Sequence, residues 1–171
     1  QQVFERLKLM DEKINNDEKN ILLYHGELTD QFFSRDDFGQ EGEKRYMPTS
    51  GRFFSDLGFD YVLAGHFHRT FTIREYKQTY FVYPGSPVSI THRENSPRKV
   101  NLFNFGNQPQ EKKIDTFYYQ PININVSPNQ KDVLIVIEKE LKNLADNAKG
   151  VLSVKGFFYY FVLMADKTTL L

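Results

Sequence analysis

Two short apolar runs in this chain end on histidine. Residues 20–25 read Asn-Ile-Leu-Leu-Tyr-His and are followed by Gly26. Residues 61–64, Tyr-Val-Leu-Ala, run into Gly65-His66-Phe67-His68. Short continuous apolar runs bounded in this way mark strands buried on both faces. The chain is therefore expected to set three of its four histidines where strands end. Neutral imidazole is a good ligand for Mn, Zn and Fe, and two imidazoles one residue apart after a buried strand suit a pair of metal ions better than a core. A lone histidine at a strand end is usually a satisfied structural residue, but three in the order His-Gly, then Gly-His-x-His, are not explained that way. The fourth, His92, lies in the polar run from Thr91 to Arg98 and reads as a solvated side chain.

A chain of 171 residues fits one domain, or a domain and a piece of another. Lys plus Arg equals Asp plus Glu at 22 each, so no broad basic field argues for nucleic acid, although local clusters can still do that work. There is no cysteine, which excludes disulfides and thiolate metal sites and leans the compartment towards the cytoplasm. No apolar run approaches the roughly 20 residues that span a bilayer. The polar start Gln1-Gln2-Val3-Phe4-Glu5-Arg6 is no signal peptide. Gln1 in place of Met is read as a start that is not the native one, and both ends look cut from something larger.

Val3, Leu7, Met10 and Ile14 recur at helical spacing and predict an amphipathic helix over 2–15. Residues 26–50 read as a long loop with some helix, residues 51–58 as a helix ending at Gly58, and residues 59–64 as the second buried strand. From Thr70 the period becomes two: residues 71–76 and 80–83 form a hairpin across Lys77-Gln78-Thr79. Pro84-Gly85-Ser86-Pro87 is a turn, and residues 89–91 and 99–105 are further strands. Gly106 to Gln110 is a turn that marks a boundary between a domain over 1–110 and the start of another over 111–171.

In the second part, residues 113–119 are strand-like and end at Pro121. Ser127, Pro128 and Gln130 read as the capping box of a helix whose stripe is Val133, Ile137, Leu141 and Leu144, with Leu134 alongside and Gly150 as its stop. Residues 157–164 form a last buried strand. The fold class is α/β in the layered, α+β sense rather than a purely doubly wound sheet.

These residues resemble the calcineurin-like metallophosphoesterases, whose five motifs run D-x-H, G-D-x-x-D, G-N-H-D/E, a single His before Gly, and G-H-x-H. The fourth resembles Tyr24-His25-Gly26 and the fifth matches Gly65-His66-Phe67-His68. Tyr83-Pro84-Gly85-Ser86-Pro87, with residues 89–91 and 98–102 behind it, resembles the SbcD-like DNA-repair exonucleases, and the β-α-β beyond residue 115 resembles the start of their DNA-capping domain. The resemblance covers roughly residues 20–165. It implies a partial phosphoesterase β-sandwich followed by a small cap. The implied activity is Mn2+-dependent hydrolysis of DNA in double-strand-break repair, with an SMC-like ATPase as partner and homodimerisation through a part this chain does not contain.

The first three motifs are absent. No D-x-H and no G-D-x-x-D occur, and the one Gly-Asn, Gly106-Asn107, follows the fifth motif. By resemblance His25 and His66 would bind one ion and His68 the other, and no catalytic residue lies in this chain. A two-metal hydrolase holds its ions about 3.5–4 Å apart around a bridging hydroxide, and three imidazoles neither bridge nor neutralise two divalent ions. The chain alone is expected to bind metal weakly and to turn over little or nothing.

Gly85 and Ser86 are candidates to offer a backbone N–H and a hydroxyl to a DNA phosphate. Their plain alternative is a tight turn closing a strand. Arg69, Arg74, Arg93, Arg98 and Lys99 could line a phosphate track or a solvated sheet edge, and the edge is the preferred reading. The pairs Phe32-Phe33, Phe53-Phe54 and Phe157-Phe158 read as core. Two other assignments stay open: a different phosphodiesterase of the superfamily, and a non-catalytic phosphoesterase-like module that binds protein.

Overall fold

The computed structural model describes residues 2–30, 45–69, 71–130 and 132–156, together with the backbone of 160–165. Helices and strands are mixed in several sheets, an α+β arrangement. Helix α1 (Gln2–Asp11) is followed by strand β1 (Ile21–His25), the single turn α2 (Gly51–Phe54) and strands β2 (Tyr61–Gly65), β3 (Thr72–Tyr76) and β4 (Thr79–Tyr83). Their sheet has the order β1-β2-β4-β3. The first three run parallel and β3 returns antiparallel to β4.

β2 lies between two neighbours and is buried along most of its length, as a central parallel strand should be. β1 departs from its expected burial on both faces. Leu22 and Tyr24 enter the core, whereas Ile21 and Leu23 do not, and Leu23 is 78% exposed. Among the described residues β1 lies at the edge of its sheet, and the layer that covers Tyr61 of β2 does not extend over Leu23. The core face holds Leu7, Leu22, Tyr24, Phe54, Leu57, Val62, Ala64, Phe81 and Tyr83. On the other face Phe103 covers Tyr61, with ring centroids 4.5 Å apart, and Leu23 is left open.

α1 stops four residues before the predicted end. Asp11 turns its carboxylate out to accept the N–H of Gly58 at 2.6 Å, and Ile14 reaches the core from the turn that follows. α2 ends after one turn at Ser55, whose hydroxyl donates to the Arg52 carbonyl at 2.7 Å. Phe54 of the Phe53-Phe54 pair is fully buried, while Phe53 packs on Phe4 with centroids 4.4 Å apart. Phe32-Phe33 and Phe157-Phe158 lie outside the described residues, as does most of the predicted 26–50 loop. The β3–β4 hairpin turns on Lys77 and Gln78, with Lys77 in the left-handed region at φ 56°.

Below the sheet, Asp60 takes Lys19 Nζ at 2.7 Å and the Asn20 N–H at 2.8 Å. Burial pushes its carboxyl up, but these two donors outweigh that and hold it below the usual carboxylate range. A depressed carboxyl contributes stability at pH values above its unfolded pKa of about 3.9 and loses it as pH falls through the folded value. Asp60→Asn is therefore expected to flatten the fall in stability on the acid side, as pH drops below about 4, read by urea denaturation. An unchanged acid limb would contradict the assignment.

Strands β5 (Lys99–Leu102) and β6 (Gln110–Lys113) form an antiparallel hairpin. β5 ends before the predicted residue 105 because Phe103 leaves the ladder for Tyr61, whose hydroxyl accepts the Gly106 N–H at 2.7 Å and donates to the Asn107 carbonyl at 3.0 Å.

β7 (Tyr118–Asn125), α3 (Val133–Lys142), β8 (Ala148–Lys155) and β9 (Tyr160–Ala165) follow. β7 and β8 are parallel with α3 as their crossover, and β9 is antiparallel to β8. Tyr118, Ile122, Ile124, Leu141, Leu144, Ala148 and Leu152 make this second core. The order β-α-β holds, but the strand that pairs parallel with β7 is β8 over Ala148–Lys155 and not the expected 157–164, and β7 lies later than the expected 113–119. β7 runs through Pro121, which an edge strand tolerates because the missing N–H can face away from the ladder. Ser127 to Gln130 is a turn, with the Gln130 N–H on the Ser127 carbonyl at 3.0 Å, and α3 starts after Asp132. The apolar stripe, not the cap signal, decides where a helix survives. Leu134 stands outside the stripe and is exposed, and Gly150 is a buried residue inside β8 rather than a helix stop. No helix among the described residues is long and apolar enough to cross a membrane.

Candidate functional site

The carboxyl ends of three parallel strands meet at one edge of the first sheet. β1 ends on His25, β2 runs into Gly65-His66-Phe67-His68, and β4 runs into Pro84-Gly85-Ser86. This edge is where open α/β sheets bind ligands.

His25 is in register with Gly65. A Cβ on Gly65 would lie 2.8 Å from Nδ1 of His25, so this position has to be bare for the ring to sit where it does. His66 is buried and takes φ 92°, a left-handed conformation unusual for a side chain with a Cβ. That kink sends Phe67 into the core against Tyr83, with centroids 5.4 Å apart, and leaves the His66 ring 5.5 Å from that of His25. Tyr46 closes the group. Its ring stacks on His66 at 5.6 Å and meets His25 edge-on at 5.3 Å. No sequence signal marks Tyr46, because it comes from the irregular segment before α2. The strand ends are tied together by hydroxyls: Tyr83 donates to the Gly26 carbonyl at 2.5 Å, and Tyr24 donates to that of Met47. Burial raises the phenol pKa of both tyrosines.

His68 faces Glu94. Its Nδ1 is 3.6 Å from Oε1 of Glu94, beyond hydrogen-bond length but within reach of the charge. Among the described residues no group of three or more His, Asp or Glu is placed to hold a metal ion. Two rings bound to one ion through bonds of about 2.1 Å have centroids roughly 4.5–5.5 Å apart, and the His25–His66 separation of 5.5 Å lies at the upper end of that range.

Ser86 occupies a different role from a phosphate donor. It is 7% exposed, its N–H donates to the His68 carbonyl at 3.0 Å, and its hydroxyl donates to Oε2 of Glu94 at 2.7 Å. Both of its donors are engaged inside the protein. Gly85, at φ 79°, supplies the left-handed step that turns the chain into this position.

Arg98 is also corrected. It is no surface cation but a side chain 2% exposed, donating through Nε to the Ser86 carbonyl at 2.9 Å and through its terminal nitrogens to the carbonyls of His68, Arg69 and Glu94 at 2.5, 3.0 and 3.2 Å. Burial lowers its pKa and the Glu94 charge works against that. Glu94, 1% exposed, also takes the Ile90 N–H at 3.0 Å, and the Ser89 hydroxyl donates to its carbonyl at 2.6 Å. Residues 89–91, predicted as a strand, thus wrap around a buried carboxylate. Lys99 pairs with Glu111 across the β5–β6 hairpin at 2.5 Å, and His92 is exposed, as its polar surroundings imply.

No protein-family model matches this chain, and no curated protein sequence matches it.

Proposed function

We propose that this chain carries part of a metal-dependent phosphodiester-hydrolysing site, of the kind found in SbcD-like DNA-repair nucleases. His25 and His66 hold one divalent ion, with Mn2+ the preferred metal, and His68 serves a second. The observation that carries this reading is the convergence of His25 and His66 at the carboxyl ends of two adjacent parallel strands, with Gly65 bare between them. Bound ions of this kind polarise a phosphate oxygen and supply a hydroxide near neutral pH. The chain's own part is to fix two imidazoles and to keep their surroundings tight through Tyr46, Tyr83 and Gly26. DNA as the substrate and an SMC-like ATPase as the partner follow from the resemblance of the Tyr83–Pro87 turn and the β-α-β unit.

The bridging aspartate and the G-N-H histidine have no counterpart here, so catalysis needs residues beyond these motifs. Mn2+ titrated into the isolated chain is expected to bind weakly, with negligible hydrolysis of a phosphodiester reporter. Absence of any Mn2+ binding would sink the metal reading. Strong Mn2+-dependent hydrolysis abolished by His66→Ala would instead sink the claim that the site is incomplete.

A protein-binding module is the competing reading. The open edge strand β1, with Ile21 and Leu23 exposed, favours it. It predicts that Mn2+ leaves the chain's spectra and stability unchanged.

A further inference from the structure

Glu94 lies in a run that reads as a solvated turn, Thr91-His92-Arg93-Glu94-Asn95-Ser96-Pro97-Arg98, yet it is among the most buried side chains of the molecule. A buried carboxylate persists where it is hydrogen-bonded and answers a charge. Its Oε2 is satisfied by the Ser86 hydroxyl at 2.7 Å and the Ile90 N–H at 3.0 Å. Its Oε1 is held more loosely, by the Thr91 hydroxyl at 3.4 Å, and faces Nδ1 of His68 at 3.6 Å. Arg98 clamps the main chain on both sides of this contact by donating to the carbonyls of His68 and Glu94. The carboxylate therefore sits at a fixed place beside one particular nitrogen of one particular imidazole.

We propose that Glu94 is a positioning residue for His68: its carboxylate keeps the proton on Nδ1, which leaves Nε2 as the nitrogen free to bind a ligand. The proposal rests on the metal reading only for the identity of that ligand. A carboxylate beside a neutral imidazole selects the tautomer with N–H on the near side, and the effect is strong where water is excluded. Carboxylates behind ligating histidines fix ring orientation in the same way, and their loss typically costs about 10- to 100-fold in metal affinity. The 3.6 Å separation lies about 0.4 Å beyond hydrogen-bond length, and the His68 side chain is 20% exposed.

The test is two-dimensional 15N NMR of the metal-free chain at about pH 8, above the ordinary imidazole range near 6.5, followed by titration with Zn2+. Zn2+ binds such sites more tightly than Mn2+ and so keeps a weakened site measurable. In the wild-type chain His68 is expected in the Nδ1–H form. Glu94→Gln is expected to return it towards the free-imidazole mixture and to weaken Zn2+ binding roughly tenfold or more. His92→Ala alters an exposed residue of the same turn and leaves Glu94 and its partners in place, and is expected to keep both the tautomer and the affinity.

An Nε2–H form in the wild type overturns the proposal, and so does equal loss of the tautomer in both variants. Should Glu94→Gln not fold, Glu94→Asp draws the charge back by one methylene, and an unchanged tautomer there overturns it as well. If the tautomer behaves as expected but the chain binds no Zn2+, the metal reading fails and the positioning role stands.

Discussion

Arg98→Ala is expected to lower the unfolding free energy by about 3–5 kcal/mol, because removing one member of a buried charged group strands the other. The guanidinium is 2% exposed and answers four carbonyls and the Ser86 hydroxyl. Deleting it leaves those acceptors buried and removes the positive charge that faces Glu94. Against a typical total of about 5–15 kcal/mol, such a loss threatens folding at physiological temperature. Arg98→Lys restores the charge but not the planar fork, so it is expected to recover only part of the loss. Lys99→Ala is the internal comparison: its pair with Glu111 is an exposed cross-strand contact worth about 0–1 kcal/mol. Urea denaturation of the three variants checks this, and equal losses for Arg98→Ala and Lys99→Ala would refute it.

His66→Ala is expected to weaken divalent-metal binding by more than the roughly 10- to 100-fold that loss of a supporting residue brings, since it removes a ligand itself. His25→Ala is expected to do the same. If both rings serve one ion, the double variant is scarcely worse than either single one, because the interaction is already lost. His92→Ala is expected to change nothing, as His92 is exposed and outside the group. Calorimetric Mn2+ titration reads all four variants. Additive losses from His25→Ala and His66→Ala would mean that they serve separate sites.

What the sequence made legible follows periodicity and strand ends. The strands β1 and β2, the β3–β4 hairpin and the helix α3 are visible as apolar runs, a two-residue period and a helical stripe, whereas β8 was hidden behind the expected helix stop at Gly150. The closeness of His25 and His66 follows from those strand ends, since residues that close adjacent parallel strands in register become neighbours. Three other things stayed hidden. One-sided burial of β1 depends on what packs over each face of the sheet, which local composition does not encode. The burial of Glu94 and Arg98 was masked because a charged, Ser- and Pro-bearing run looks solvated. What takes it inside is pairing between residues four apart in sequence with a turn at Ser86, and no hydropathy pattern records that. Tyr46 comes from an irregular segment with no period to place it. The capping box expected at Ser127 is not one: Ser127 to Gln130 form a turn, and the helix begins only at Val133, where its apolar stripe can be buried.

The most direct measurement is a Zn2+ titration of the chain with 15N-labelled histidine, followed by NMR. Zn2+ is diamagnetic, so each imidazole reports its own ligation. The account predicts that the ring nitrogens of His25 and His66 shift together along one saturating curve, while those of His92 stay where they are. Shifts of all four histidines in parallel, or of none, would contradict the claim that His25 and His66 form a metal site.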